Sequence, residues 1–171
     1  MAKKFICASE KYEVGGQKED VIALPVSLSG LPSTIEVEGY TLFLKTSFHV
    51  SLVCIGKIAE KNGIQDSKFV NKVVADFCDF IKHTSIEFQS YKNEFRFATQ
   101  AKERSVVVMC NISNLDRFFD YVHLKYGLSV EYPPTHVTLY TLQPGIGIFL
   151  TDSEDIESIT KLIPEPVGIT L

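Results

Sequence analysis

The clearest hydrophobic periodicity lies in residues 66–82, where Phe69, Val70, Val73, Val74, Phe77, Phe80 and Ile81 recur at helical spacing behind Asp66 or Ser67 as N-cap. A second stripe, Leu115, Phe118, Phe119, Val122 and Tyr126, opens at Ser113 or Asn114 and stops before Gly127, a residue suited to the turn that ends a helix. Residues 41–55 are rich in β-branched and aromatic side chains and close at Gly56, which predicts one strand. Residues 85–90, 94–99 and 105–112 predict an antiparallel meander, with turns at Tyr91-Lys92-Asn93 and at residues 101–104. A strand follows the double proline Pro133-Pro134, another spans residues 146–150, and a short helix runs over residues 153–162, where Thr151 and Glu154 have capping-box spacing. Residues 12–20 and 29–33 read as polar, glycine-containing loops, so residues 1–35 are the hardest to place. Strands and helices alternating in blocks predict an α+β fold with a rough internal duplication.

Composition narrows this picture. A chain of 171 residues that is 45% hydrophobic supports one sizeable core and too little for two large ones, so a single domain over residues 1–171 is expected. The net charge of -4 and pI near 5.6 exclude the uniform positive field that holds long double-stranded nucleic acid, so any phosphate recognition must be local. Cys7, Cys54, Cys78 and Cys110 are widely spaced with no C-x-x-C pair, which predicts reduced, mostly buried thiols. The apolar stretch after Lys3 and Lys4 is cut short by Ser9, Glu10 and Lys11, too soon for a signal peptide or a membrane span. A cytoplasmic monomer with no membrane partner is the resulting expectation.

The chemistry sits in an echo: residues 49–52 read His-Val-Ser-Leu and residues 136–139 read His-Val-Thr-Leu. Side chains alternate faces along a strand, so His49 with Ser51, and His136 with Thr138, point one way while Val and Leu pack the other. Two such pairs suit a phosphodiester. One imidazole can take a proton from the attacking oxygen while the other protonates the leaving oxygen, and an ordinary histidine pKa near 6.5 serves both tasks. The hydroxyls can donate to the non-bridging phosphate oxygens. Which histidine is base and which is acid is open. His83-Thr84-Ser85 also fits H-x-[ST], but His83 closes a helix, where a cationic tip near the last carbonyls is the ordinary structural role. His123 falls within the second helix.

With both tetrads intact, the chain resembles the 2H phosphoesterase superfamily, which includes 2′-5′ RNA ligase-like proteins and cyclic nucleotide phosphodiesterases and carries two H-x-[ST]-x motifs with apolar flanks. The matching segments are Phe-His-Val-Ser-Leu-Val-Cys-Ile-Gly and Thr-His-Val-Thr-Leu-Tyr, with Ser51 where threonine is commoner. The resemblance covers about residues 41–150 and implies two pseudo-symmetric lobes of antiparallel sheet and helix around a central cleft, one motif from each lobe. It also implies a metal-independent hydrolase without cofactor, acting on a small nucleotide or RNA end through a cyclic phosphate or 2′-5′ linkage. A non-catalytic module of the same fold that binds a nucleotide or RNA end is the alternative.

Further residues border the motifs. Tyr140 follows Thr138 on the same strand face and could stack on a base, reach the phosphate or simply pack. Lys45 shares the face of His49 if the strand runs without a bulge, as a phosphate contact or a solvated strand end. Arg96 or Arg104 could reach a terminal phosphate. No Cys or carboxylate stands at a recognisable ligand spacing from His49 and His136, so no metal site is expected, and no glycine-rich phosphate loop is present.

Overall fold

The computed structural model describes residues 4–171, so Lys3 of the basic N-terminal pair lies outside it. In chain order the elements are β1 (Lys4–Ile6), β2 (Tyr12–Gly15), β3 (Val21–Val26), β4 (Thr34–Val37), β5 (Tyr40–Leu44), β6 (Phe48–Cys54), α1 (Ile55–Lys61), α2 (Phe69–Ile81), β7 (Phe88–Gln100), β8 (Glu103–Ile112), α3 (Leu115–Tyr126), β9 (His136–Thr141), α4 (Ser153–Ile159) and β10 (Thr160–Ile163). The fold is α+β, with antiparallel pairing at β1·β2, β2·β3, β4·β5, β5·β9, β6·β9, β8·β9 and β7·β10. Two compact units divide the chain. One takes residues up to Pro25, Ser51–Gln89 and Ile112–Pro133; the other takes Val26–Val50, Ser90–Asn111 and Pro134–Leu171. Each is assembled from separate chain segments, so neither can be cut out as a contiguous domain.

In the first unit the apolar stripes of α2 and α3 meet edge to face, with the Phe77 and Phe118 ring centroids 5.2 Å apart. Tyr12 packs edge-on against Phe77 at 5.1 Å and donates its hydroxyl to the Ile86 carbonyl at 2.6 Å. Residues 12–20 are therefore not all loop. The alternation of Tyr12 and Val14 is too short to announce a strand, and pairing of Val14 with Ile22 supplies what local pattern lacks. Buried Asp76 accepts from the Lys125 ammonium and the Tyr126 hydroxyl, tying α2 to α3. Helix α1 was not legible, because Gly56 reads as a strand terminator. Its role is spatial: a Cβ there would lie 1.9 Å from Oδ2 of Asp20, whose carbonyl accepts the Ile55 N–H at 2.9 Å.

The expectation of four reduced thiols fails at two of them. Cys7 and Cys78 form a disulfide with S–S 2.11 Å, because the N-terminal hairpin lays Cys7 against α2, a meeting that their sequence separation of 71 conceals. Such bonds are rare in the cytosol, so this one lends no support to a cytoplasmic location. Cys54 and Cys110 are buried and outside the disulfide, and burial pushes the Cys110 thiol up to about 12, leaving it neutral and inert. Among the described residues no helix is long and apolar enough to cross a membrane.

In the second unit the sheet order is β6-β9-β8-β7-β10, with β5 also pairing β9 and β4 beyond it. Ala98, Val107, Met109, Ile148 and Leu150 form a buried cluster under Ile156 and Ile159 of the α4 segment. The single strand expected over residues 41–55 is cut at Lys45-Thr46-Ser47 into β5 and β6. Conversely, residues 91–93 do not turn: they stay extended within β7, which has ladder neighbours on both sides. Residues 146–150 join no strand ladder and are held by burial of Ile148 and Leu150. Helix α4 is capped one residue later than expected: Asp152 accepts the Asp155 N–H at 2.9 Å, and Asp155 accepts the Thr151 N–H at 2.7 Å.

Candidate functional site

The register of β6 on β9 fixes the geometry. Val50 pairs antiparallel with Val137, and both are wholly buried. One step along each strand turns to the other face and sets His49 opposite Thr138. His136 lies two residues from Thr138 on that same face, so the two imidazoles are diagonal neighbours with Cβ atoms on the order of 7 Å apart. On the far side of β9, Val107 stands opposite Thr138 and Met109 opposite His136, giving the face an apolar flank. Ser51 shares the β6 face of His49.

Both histidines thus belong to the second unit, because the division of the chain falls inside β6 after Val50. The division cuts the first tetrad, leaving Ser51 and Leu52 in the first unit, and the two histidines ride on neighbouring strands of one sheet.

His136 is held in a defined chemical state. It is 8% exposed, and its Nδ1 lies 2.6 Å from the Pro134 carbonyl oxygen. A carbonyl can only accept, so Nδ1 carries a proton, and in the neutral form of the ring the lone pair is at Nε2. The preceding backbone is pinned: Thr135 donates its hydroxyl to the Cys110 carbonyl at 2.7 Å, and Cys110 donates its N–H to the Thr135 carbonyl at 3.0 Å. Burial lowers the His136 pKa from its ordinary value; the Pro134 bond opposes this in part, and the charge of Lys45 adds a smaller lowering.

Lys45 arrives by a route other than the one expected. The strand breaks before His49, so a shared face does not place it; instead the Lys45 N–H bonds the Leu139 carbonyl of β9 at 2.9 Å, which brings its ammonium into the field of His136. The side chain is half-buried, and among the described residues no carboxylate pairs with it. Burial pulls its pKa down. A partly desolvated cation with no carboxylate beside a second basic group is a place for an anion.

Tyr140 is a correction. Between Val107 and Val106 the ladder is irregular: β9 advances from Thr138 to Tyr140 while β8 advances one residue, leaving Leu139 without a partner and ending the alternation that would carry Tyr140 to the face of Thr138. Tyr140 is wholly buried and donates its hydroxyl to the Pro32 carbonyl at 2.8 Å, so neither ring nor hydroxyl is open to a substrate.

The arginines are engaged elsewhere. Arg96 bonds Glu94 at 2.7 Å and Thr160 at 3.1 Å; Arg104 donates to the Ala101 and Glu103 carbonyls and lies over the Tyr40 ring. His83 is exposed just past α2, its N–H on the Phe80 carbonyl, and the exposed His123 ring bonds the Leu128 carbonyl at 2.6 Å. Among the described residues no three His, Cys, Asp or Glu side chains are grouped to hold a metal ion. Two contributors were missed in the sequence. The Pro134 carbonyl orients His136, for which the double proline was the available signal. Gly147 lies beside Thr138, its absent Cβ only 3.7 Å from Thr138 Cγ2, and nothing in the sequence marks that proximity.

Comparison with protein-family models, with curated proteins and with solved structures finds no match to this chain.

Proposed function

We propose that the protein is a metal-independent phosphodiesterase of the 2H type, opening a cyclic phosphate or cutting a 2′-5′ linkage in a small nucleotide or RNA end. The carrying observation is the pairing of Val50 with Val137, which sets His49, Thr138 and His136 on one sheet face, with the charge of Lys45 acting on His136. Under this reading the β6 and β9 segments are the two motifs of the pseudo-symmetric 2H fold.

The Nδ1–H contact of His136 supports one assignment of the roles. With Nδ1–H fixed on Pro134, its Nε2 lone pair takes a proton from the attacking water as the new P–O bond forms. His49, as imidazolium, delivers a proton to the leaving ester oxygen as the old P–O bond breaks. The hydroxyls of Thr138 and Ser51 donate to the non-bridging oxygens, and Lys45 offsets the charge collecting there. Proton exchange with solvent resets both rings. For a 2′,3′-cyclic phosphate the product is a nucleoside monophosphate.

The test is incubation with 2′,3′-cyclic AMP and a 2′-5′ diadenylate in EDTA. Conversion to monophosphate or cleavage of the dinucleotide is expected. A folded protein that turns over neither, and no other cyclic or 2′-5′ diester, overturns the reading. Because the His136 pKa is lowered, its base form persists to lower pH: kcat/KM should rise with pH through an acid limb centred below 6.5.

Lys45→Met gives a second prediction. Loss of a charge-assisted contact worth about 1.5–3 kcal/mol should weaken diester binding roughly tenfold to a hundredfold. It also removes a cation that depresses His136, so the acid limb should move to higher pH. An unmoved limb would separate Lys45 from the site.

A further inference from the structure

His136 is the first residue of β9, and residues 127–135 before it join no helix or strand. The end of a strand is where backbone pairing opens most readily. A proton-transfer group works only if it is held within about 0.5 Å of its productive position, so at this place in the fold it needs more than the ladder. The bond of Nδ1 to the Pro134 carbonyl is not by itself that support. The carbonyl lies two residues back along the chain, and the contact exists only for particular φ and ψ of Thr135, the residue between them.

Those torsions are set from β8. Met109 stands opposite His136, so the next rung places Cys110 against Thr135. Two bonds close it. Cys110 donates its N–H to the Thr135 carbonyl at 3.0 Å, which fixes the peptide leading into His136. Thr135 Oγ1 donates to the Cys110 carbonyl at 2.7 Å, which ties down the Thr135 side chain as well. Thr135 is 5% exposed, and at such a position an apolar side chain is the ordinary occupant, because a buried hydroxyl is unfavourable unless it is bonded. Its hydroxyl is committed to the neighbouring strand, a different task from that of the Thr138 hydroxyl on the site face.

Resting on the phosphodiesterase reading, we propose that Thr135 is a positioning residue for proton transfer: by clasping the Cys110 backbone it holds the Pro134 carbonyl on Nδ1 of His136 and so aims Nε2 at the attacking water. It touches neither substrate nor water itself.

The tautomer of His136 reads this without reference to activity. Proton–nitrogen NMR of the imidazole ring, recorded above its titration range, should show Nδ1–H in the unaltered protein. Thr135→Val keeps the shape and removes the hydroxyl; it should shift the ring toward the Nε2–H form that a free imidazole side chain favours, and Thr135→Ser should restore Nδ1–H. With 2′,3′-cyclic AMP, Thr135→Val should lower kcat about tenfold to a hundredfold and leave KM within about twofold, with recovery in Thr135→Ser. Thr135→Ala, which leaves room for a water at the Cys110 carbonyl, carries the same expectation should Thr135→Val not fold. Retention of Nδ1–H in a folded Val or Ala variant, or a rise in KM as large as the loss in kcat, overturns the positioning role while the hydrolase reading stands. Loss of Nδ1–H on removing the hydroxyl, in a protein that hydrolyses no diester, supports the clasp while the hydrolase reading fails.

Discussion

His136→Asn is expected to lower kcat/KM for a 2′,3′-cyclic nucleotide by about a thousandfold and to leave the protein folded. A positioned proton-transfer group contributes about 10²–10⁴ to a rate, and under the proposed mechanism His136, with its Nδ1 on the Pro134 carbonyl, is that group. Asparagine is chosen over alanine because its amide can still donate to the Pro134 carbonyl, which alanine would leave buried without a partner at a cost of about 1–3 kcal/mol. His49→Ala should give a loss of the same order. The double variant should be little worse than either single one, because an acid and a base acting in one step fail together. Activity within a few-fold of the unaltered protein in either single variant, measured beside an unchanged thermal midpoint, would remove the two-histidine mechanism.

The second large effect concerns stability. Cys78→Ser lowers the free energy of unfolding by about 4 kcal/mol, the loop-closure value for a bond spanning 71 residues of chain. Urea titration with and without dithiothreitol reads it. The reductant should shift the midpoint of the unaltered protein toward that of Cys78→Ser and should not move the variant. If the reductant shifts neither, Cys7 and Cys78 are not joined. Cys54 and Cys110 add nothing to this signal, since both are buried and neither is in a disulfide.

Much of the site was written in the order of residues. Two His-Val-hydroxyl-Leu tetrads, each in a run of β-branched and aromatic residues, put imidazole and hydroxyl on one strand face without reference to any other part of the chain. Helices α2 and α3 were equally legible, because a 3.6-residue stripe of large apolar side chains is a local property and Gly127, at φ +64°, ends the second one as its sequence position predicts. Legibility failed where a partner distant in sequence decides. Tyr140 was placed on the catalytic face by counting twos, and a ladder irregularity against β8 moved it into the core. Lys45 was placed by the same count, and its position follows instead from a hydrogen bond to Leu139.

The sequence by itself therefore determined the α+β class, the two strong helices and the four residues His49, Ser51, His136 and Thr138, since each follows from periodicity within a few neighbouring positions. Tertiary structure alone decided that Val50 meets Val137, so that the tetrads lie side by side, that Cys7 meets Cys78, and that Gly147 lies beside Thr138. It also distinguishes the two rings. Pattern gives two equivalent histidines; only the fold brings the Pro134 carbonyl and the Lys45 charge to His136, and under the proposed mechanism that makes it the base.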